Sequence, residues 1–244
     1  MSLQEKVAQM ISLKAEQVFF SPKQLYRYED IVNGAFVKKG DGSFKKEKAV
    51  STNTIRAFHR LDKNRPSIAQ DIDDYFIKNK DFIINSLIKI KNEEELHRME
   101  NNICNTIRKL PDLNIDSYKL YEYNLLRKPV DLFIEHLVLL ADELNNKRNE
   151  LIPYLFVPLD KWILSERSEY CFFETDLRFY GISKGAGFTS IKSGDVYVKL
   201  QTLLNQNAKS LTNLTGKHFY RIYFELLWRD RYKNKGGNIW EMIY

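Results

Sequence analysis

Pro129-Val-Asp-Leu-Phe-Ile-Glu-His-Leu-Val-Leu-Leu-Ala-Asp-Glu-Leu144 carries the strongest periodicity in this 244-residue chain. Val130, Phe133, Ile134, Leu137, Val138, Ala141 and Leu144 recur at spacings of three and four, which lines one side of a helix. A proline is tolerated in a first turn, where its missing N–H has no partner to lose. The stretch therefore predicts a helix that starts at Pro129 and packs a broad apolar face into a core.

The same signals extend in both directions. Ser67-Ile-Ala-Gln70 has the form of a capping box, and Ile68, Ile72, Tyr75, Phe76, Ile83, Leu87 and Ile90 keep the helical period to about Lys91. Asn92, with Glu95 three residues on, opens a helix whose stripe is Leu96, Met99, Ile103, Ile107 and Leu110. At the N-terminus, Ser2-Leu-Gln-Glu5 starts a helix reaching about Phe19, and Ser21-Pro22-Lys-Gln24 predicts a second from Pro22 to Asn33, stopped by Gly34. Beyond Asn149 the composition shifts: Leu151 to Leu159 and Tyr170 to Ile182 are rich in aromatic and β-branched residues and read as strands, before a helix over Asp195 to Leu211. Phe219 to Tyr232 has aromatic residues on either possible face.

The expected fold class is α+β and predominantly α-helical. A helical N-terminal module over residues 1–66, with a short basic hairpin or wing, precedes a larger α-rich domain over 67–244 that has strands at about 151–190. A 13% aromatic content argues against extensive disorder. No apolar run approaches the roughly 20 residues that span a bilayer, and the first residues lack a basic patch followed by an apolar stretch. A cytoplasmic protein is the expectation, with Cys104 and Cys171 as small buried thiols in a reducing compartment.

Charge is divided unevenly. Residues 36–65 carry nine basic groups against three acidic ones, while residues 1–35 and 67–244 are each neutral, so this one stretch accounts for the whole net charge of +6. Such concentration suits contact with a phosphate backbone, because each neutralised phosphate releases condensed counterions. Within it, Gly40-Asp41-Gly42 supplies the backbone freedom of a hairpin turn between two short segments. Val50 to Leu61 then reads as a short helix that buries Ile55, Phe58 and Leu61 and exposes Arg56, His59 and Arg60.

Val50-Ser51-x-x-Thr54-Ile55-x-Ala57 resembles the second half of helix-turn-helix DNA-binding units, in which a Val-Ser turn leads into the recognition helix. Upstream, Lys45-Lys-Glu-Lys48 stands where such units carry the apolar residues and alanines of their first helix. The resemblance implies that Arg56 and Arg60 reach bases or phosphates, with His59 beside them, while Lys38, Lys39, Lys45, Lys46 and Lys48 clamp the backbone. DNA, before RNA, is the expected partner, in regulation or in defence against foreign DNA.

Two further readings belong to other classes. Glu174-x-Asp176 with Lys184 downstream offers the residue types of a metal-dependent nuclease of the restriction-enzyme kind, in which carboxylates hold Mg²⁺ and a lysine steadies the attacked phosphate. Apart from that case no cofactor is indicated. The third class is a protein-interaction or scaffold role without nucleic acid. Asp71, Asp73 and Asp74 read as helix positions, one of them in a first turn where a carboxylate complements the helix dipole. Gly181-Ile-Ser-Lys-Gly185-Ala-Gly187 lacks the Gly-Lys-Ser/Thr ending of a phosphate-binding loop and reads as a turn. The aromatic and basic residues of Lys217 to Lys235 fit either a single-strand platform or a core with a basic rim.

Overall fold

A computed structural model describes residues 3–21, 25–38, 44–47, 68–110, 122–161, 163–164, 177–183 and 186–226. They form helices α1 (Leu3–Ala15), α2 (Tyr28–Asn33), α3 (Ile68–Lys78), α4 (Lys80–Lys89), α5 (Glu93–Arg108), α6 (Tyr123–Leu140), α7 (Arg148–Leu151) and α8 (Gly194–Thr215), with several short 3₁₀ turns. The protein is thus mostly helical. Two four-residue strands, β1 (Ala35–Lys38) and β2 (Phe44–Glu47), pair antiparallel with Phe36 opposite Lys46, Val37 opposite Lys45 and Lys38 opposite Phe44. Among the described residues no helix is long and apolar enough to cross a membrane. The residues form two compact units, one drawn from Met1–Ser21, Glu122–Asn124 and Phe156–Lys235, the other from Pro22–Tyr121 and Leu125–Leu155. The boundary expected near Pro66 lies outside the described residues.

In the first unit, α1 buries Ala8, Ile11 and Ala15, the i, i+3, i+7 positions of one face. Its last turn widens into a π-helical segment, Glu16–Phe20, closed by a hydrogen bond from Ser21 N to Glu16 O at 3.1 Å. The extra residue turns Phe19 onto Tyr223, with ring centroids 5.5 Å apart, and Phe20 toward Tyr220 at 6.2 Å. Helix α8 starts where Ser193 Oγ accepts from Val196 N–H and ends at Gly216, whose φ of 69° is the left-handed conformation that glycine adopts without strain. It buries Tyr197, Leu200, Gln201, Leu204, Ala208 and Leu211.

The second unit is built around α6, which is buried on every side from Leu125 to Leu140. Phe133 lies in its centre, stacked on Phe76 of α3 with centroids 3.7 Å apart and met edge-on by Tyr28 of α2 at 5.8 Å. The Tyr28 hydroxyl donates to the Phe76 carbonyl at 2.8 Å, so the phenol enters the core with its polar end satisfied. Asn92 caps α5 as its sequence indicates: its Oδ1 accepts from Glu95 N–H at 2.9 Å, and Glu95 accepts in return from Lys91 N–H at 2.8 Å. Leu96, Met99, Ile103 and Ile107 are buried on the predicted stripe.

Three expectations are corrected and one is refined. The helix expected at Pro129 begins six residues earlier, at Tyr123, and takes the proline into its interior. Interior proline costs about 3 kcal/mol, and the burial of Leu125 and Leu126 in that extra turn offsets it. The helix expected over Pro22 to Asn33 starts only at Tyr28. Over residues 25–27 the chain is not helical, because Tyr26 pairs by its N–H with Leu140 O and by its carbonyl with Asp142 N–H, both at 2.9 Å. The helical region expected from Ser67 to about Lys91 consists of two helices, parted at Asn79, whose side chain donates to Tyr75 O at 2.8 Å and competes with the helix's own hydrogen bonds. Finally, Leu151 to Leu159 forms no strand, and Leu177–Tyr180 is a 3₁₀ turn. The buried run after Phe156 meets side chains in place of a neighbouring strand: Gln201 donates to Val157 O at 2.7 Å and accepts from Val157 N–H at 3.2 Å. Asn124 donates to Leu159 O at 2.9 Å. An amide side chain offers the same donor and acceptor as a ladder residue, so these three backbone groups are satisfied without a sheet.

Candidate functional site

Most of the residues singled out by charge or motif lie outside the described residues. Lys39, Lys48, Arg56, His59 and Arg60 are among them, as are Glu174, Asp176 and Lys184. Lys38 belongs to β1, and Lys45 and Lys46 belong to β2. Of the aromatic and basic stretch after Lys217, Phe219, Arg221, Tyr223 and Phe224 are buried, whereas Lys217 and His218 are exposed. Arg221 lies with its guanidinium carbon 4.2 Å from the centroid of the Phe156 ring. This half of the stretch is core with a polar edge, and its buried rings present no face to a nucleic-acid base.

The densest cluster of ionisable side chains among the described residues is in the second unit, between α5 and α6. Arg127, wholly buried, donates through Nε to Asp131 Oδ1 at 2.6 Å and through Nη2 to Glu100 Oε2. Its Nη1 reaches Asn101 Oδ1 at 3.1 Å and the His97 carbonyl at 3.4 Å. Asn101 Nδ2 in turn donates to His97 Nε2 at 2.9 Å. Arginine suits this place because its planar fork can serve several acceptors at once and does not lose its proton. The four-residue spacing of Arg127 and Asp131 is a sequence signal for their pairing, but nothing local joins either to Glu100, which comes from another helix.

The cluster's chemistry is that of a clamp. Both carboxylates are committed to the guanidinium, and both are buried, so neither is presented to a substrate. Cys104, enclosed beside them, has its thiol pushed up to about 12 by desolvation against the opposing pull of Arg127. A thiol held so far above neutral stays protonated and is a poor nucleophile. His136 is buried on α6 with Nδ1 2.6 Å from the Leu132 carbonyl. A carbonyl only accepts, so Nδ1 carries a proton.

A second polar cluster ties three elements of the same unit at its surface. Lys80 Nζ of α4 lies 2.7 Å from Glu29 Oε1 of α2 and 2.9 Å from Glu143 Oε1 in the 3₁₀ turn after α6. Glu143 Oε1 also accepts from Tyr28 N–H at 3.2 Å, the start of α2. The hydrogen bond from Lys80 holds the Glu29 carboxyl below its ordinary value of 4.5. Burial pulls Glu143 upward, but bonds from Lys80 and from backbone N–H groups outweigh it and leave this carboxyl lowered too. Hydrogen bonds to Glu29 and then Glu143 raise Lys80.

These directions set the pH window of the tie. Lowered carboxyls give a contribution that is present above their unfolded values and is lost as pH falls through the folded ones. A raised lysine gives one that is present below its unfolded value and is lost as pH rises through the folded one. Between these limits the tie is intact. Lys80→Met should cost about 1 kcal/mol at pH 7, the scale of a solvent-screened ion pair. The difference from wild type should close at an acid pH below the lowered folded values of the two carboxyls, where both are protonated. Urea midpoints at the two pH values test it, and an equal deficit at both would show that Lys80 acts by packing alone.

Comparison with protein-family models, with curated proteins and with solved structures finds no match for this chain.

Proposed function

We propose that the chain binds nucleic acid, DNA before RNA, through the basic segment Phe36 to Arg65. One observation carries the reading: this segment holds the entire +6 net charge, while the residues on either side of it are neutral. A charge confined to thirty residues acts as a docking surface, because its field adds over roughly one Debye length, about 8 Å at physiological salt. The pairing of β1 with β2 supports a basic wing, since it brings the backbones of Lys38, Lys45 and Lys46 into one short ribbon. In this reading Lys38, Lys39, Lys45, Lys46 and Lys48 neutralise phosphates, and Arg56, His59 and Arg60 on the following helix contact phosphates or base edges.

The experiment is binding of a labelled duplex across a salt series. The wild-type protein should bind at low salt with an affinity that falls steeply as salt rises. Replacing Lys45, Lys46, Arg56 and Arg60 together by alanine should weaken binding at least about tenfold and flatten the salt slope by about 0.9 for each phosphate no longer neutralised. The absence of binding at low salt, or a variant with the wild-type slope, would end the proposal.

A further inference from the structure

Three arginines are buried among the described residues, and two of them have evident company. Arg127 is enclosed by Glu100, Asp131, Asn101 and the His97 carbonyl, and Arg221 faces the ring of Phe156. Arg148, at the start of α7, is different. It is 8% exposed, and its Nε is shut away from solvent with no acceptor among the described residues. No described carboxylate forms an ion pair with it, and its proton affinity is depressed by desolvation alone, with no acidic neighbour opposing the shift.

Its surroundings along the chain supply no counter-charge either. Asn145, Asn146 and Asn149 are exposed and neutral. The nearest acid in sequence, Glu150, is taken by Lys147 Nζ. A guanidinium whose Nε is enclosed cannot escape its desolvation cost by losing a proton, as a lysine would, because its pKa remains far above neutral. An anion at that enclosed Nε would stabilise it, and a fork of parallel N–H donors fits an anion that offers two oxygens.

We infer that Arg148 is the seat of an oxyanion, a phosphate or carboxylate group that completes the pairing the described residues leave open. The site is separate from the Phe36 to Arg65 segment, and it stands whether or not that segment binds nucleic acid. Its ligand is recognised by charge and by two oxygens, so chloride does not substitute.

The test uses the full chain, with inorganic phosphate and sodium acetate as probes at an ionic strength held constant with chloride. Well above its dissociation constant, one of the two oxyanions should raise the thermal midpoint by about 5 °C, and the one that does so identifies the phosphoryl or carboxylate class. Arg148→Met, which keeps an apolar stem and removes the charge, should lose that rise entirely. In wild-type protein the Nε–Hε resonance of Arg148 should move along the same titration curve. A rise of equal size in Arg148→Met, or no rise with either oxyanion, overturns the inference. Should the variant not fold, the wild-type resonance decides: movement supports the site and a stationary signal refutes it.

Discussion

Arg127→Met should lower stability by about 3–5 kcal/mol, the range seen when one partner of a buried ion pair is removed. The loss comes less from the attraction that disappears than from what stays behind. Glu100 and Asp131 remain enclosed between α5 and α6 with no cation, while Asn101 Oδ1 and the His97 carbonyl lose a donor. Methionine fills much of the volume, so a cavity contributes little and the electrostatic cause is isolated. A urea titration should show a lower midpoint with an unchanged slope. The informative comparison is the triple variant Arg127→Met, Glu100→Leu, Asp131→Leu. It removes the charges together and should recover at least half of the deficit, because a buried ion cluster is often replaceable by apolar groups. A single variant within about 1 kcal/mol of wild type, or a triple variant no better than the single, would show that the clamp is not the source of the effect.

Phe133→Ala should cost a comparable amount, about 3–5 kcal/mol, for a different reason. Phe133 is 1% exposed and touches Phe76 and Tyr28 with its ring, so truncation opens a void at the point where α2, α3 and α6 meet. The surrounding rings cannot collapse into it freely, because the Tyr28 hydroxyl is anchored to the Phe76 carbonyl. Phe133→Leu keeps most of the volume and should lose about 1–2 kcal/mol. As a control, Phe82→Ala removes a ring that is 48% exposed on α4 and should stay within about 0.5 kcal/mol. If Phe82→Ala proved as damaging as Phe133→Ala, the central placement of Phe133 would be refuted.

The two large predictions concern α6, and α6 shows how far local signals reach. Its apolar spacing identifies a helix, and Val130, Phe133, Ile134, Leu137 and Val138 are all in the core. The start differs because Pro129 marks a first turn only when nothing upstream holds the chain helical. Arg127 does hold it, through Glu100 and Asn101 on another helix, and the two leucines before it are buried. The strand expected over Leu151 to Leu159 fails similarly. Aromatic and β-branched residues report that a segment is buried, but whether a strand or the amide of Gln201 lies beside it is settled some forty residues away. As for function, the basic segment is legible as a division of charge, whereas Arg148 is invisible: nothing local among the 38 basic residues marks this one as buried without a described counter-charge.

Alone, the sequence determined the helical class, the cap of α5 by Asn92 and Glu95, the apolar stripes and the confinement of net charge to residues 36–65. The caps and stripes depend on neighbours within about four residues, where backbone hydrogen bonding and side-chain spacing act directly. Only the tertiary structure decided that Arg127 is clamped, that Val157 is paired by an amide, that Lys80 ties Glu29 to Glu143 and that Arg148 is enclosed without a described counter-charge. Burial and charge pairing arise from residues far apart in the chain, and the cost of desolvating a group is set by what the fold brings next to it.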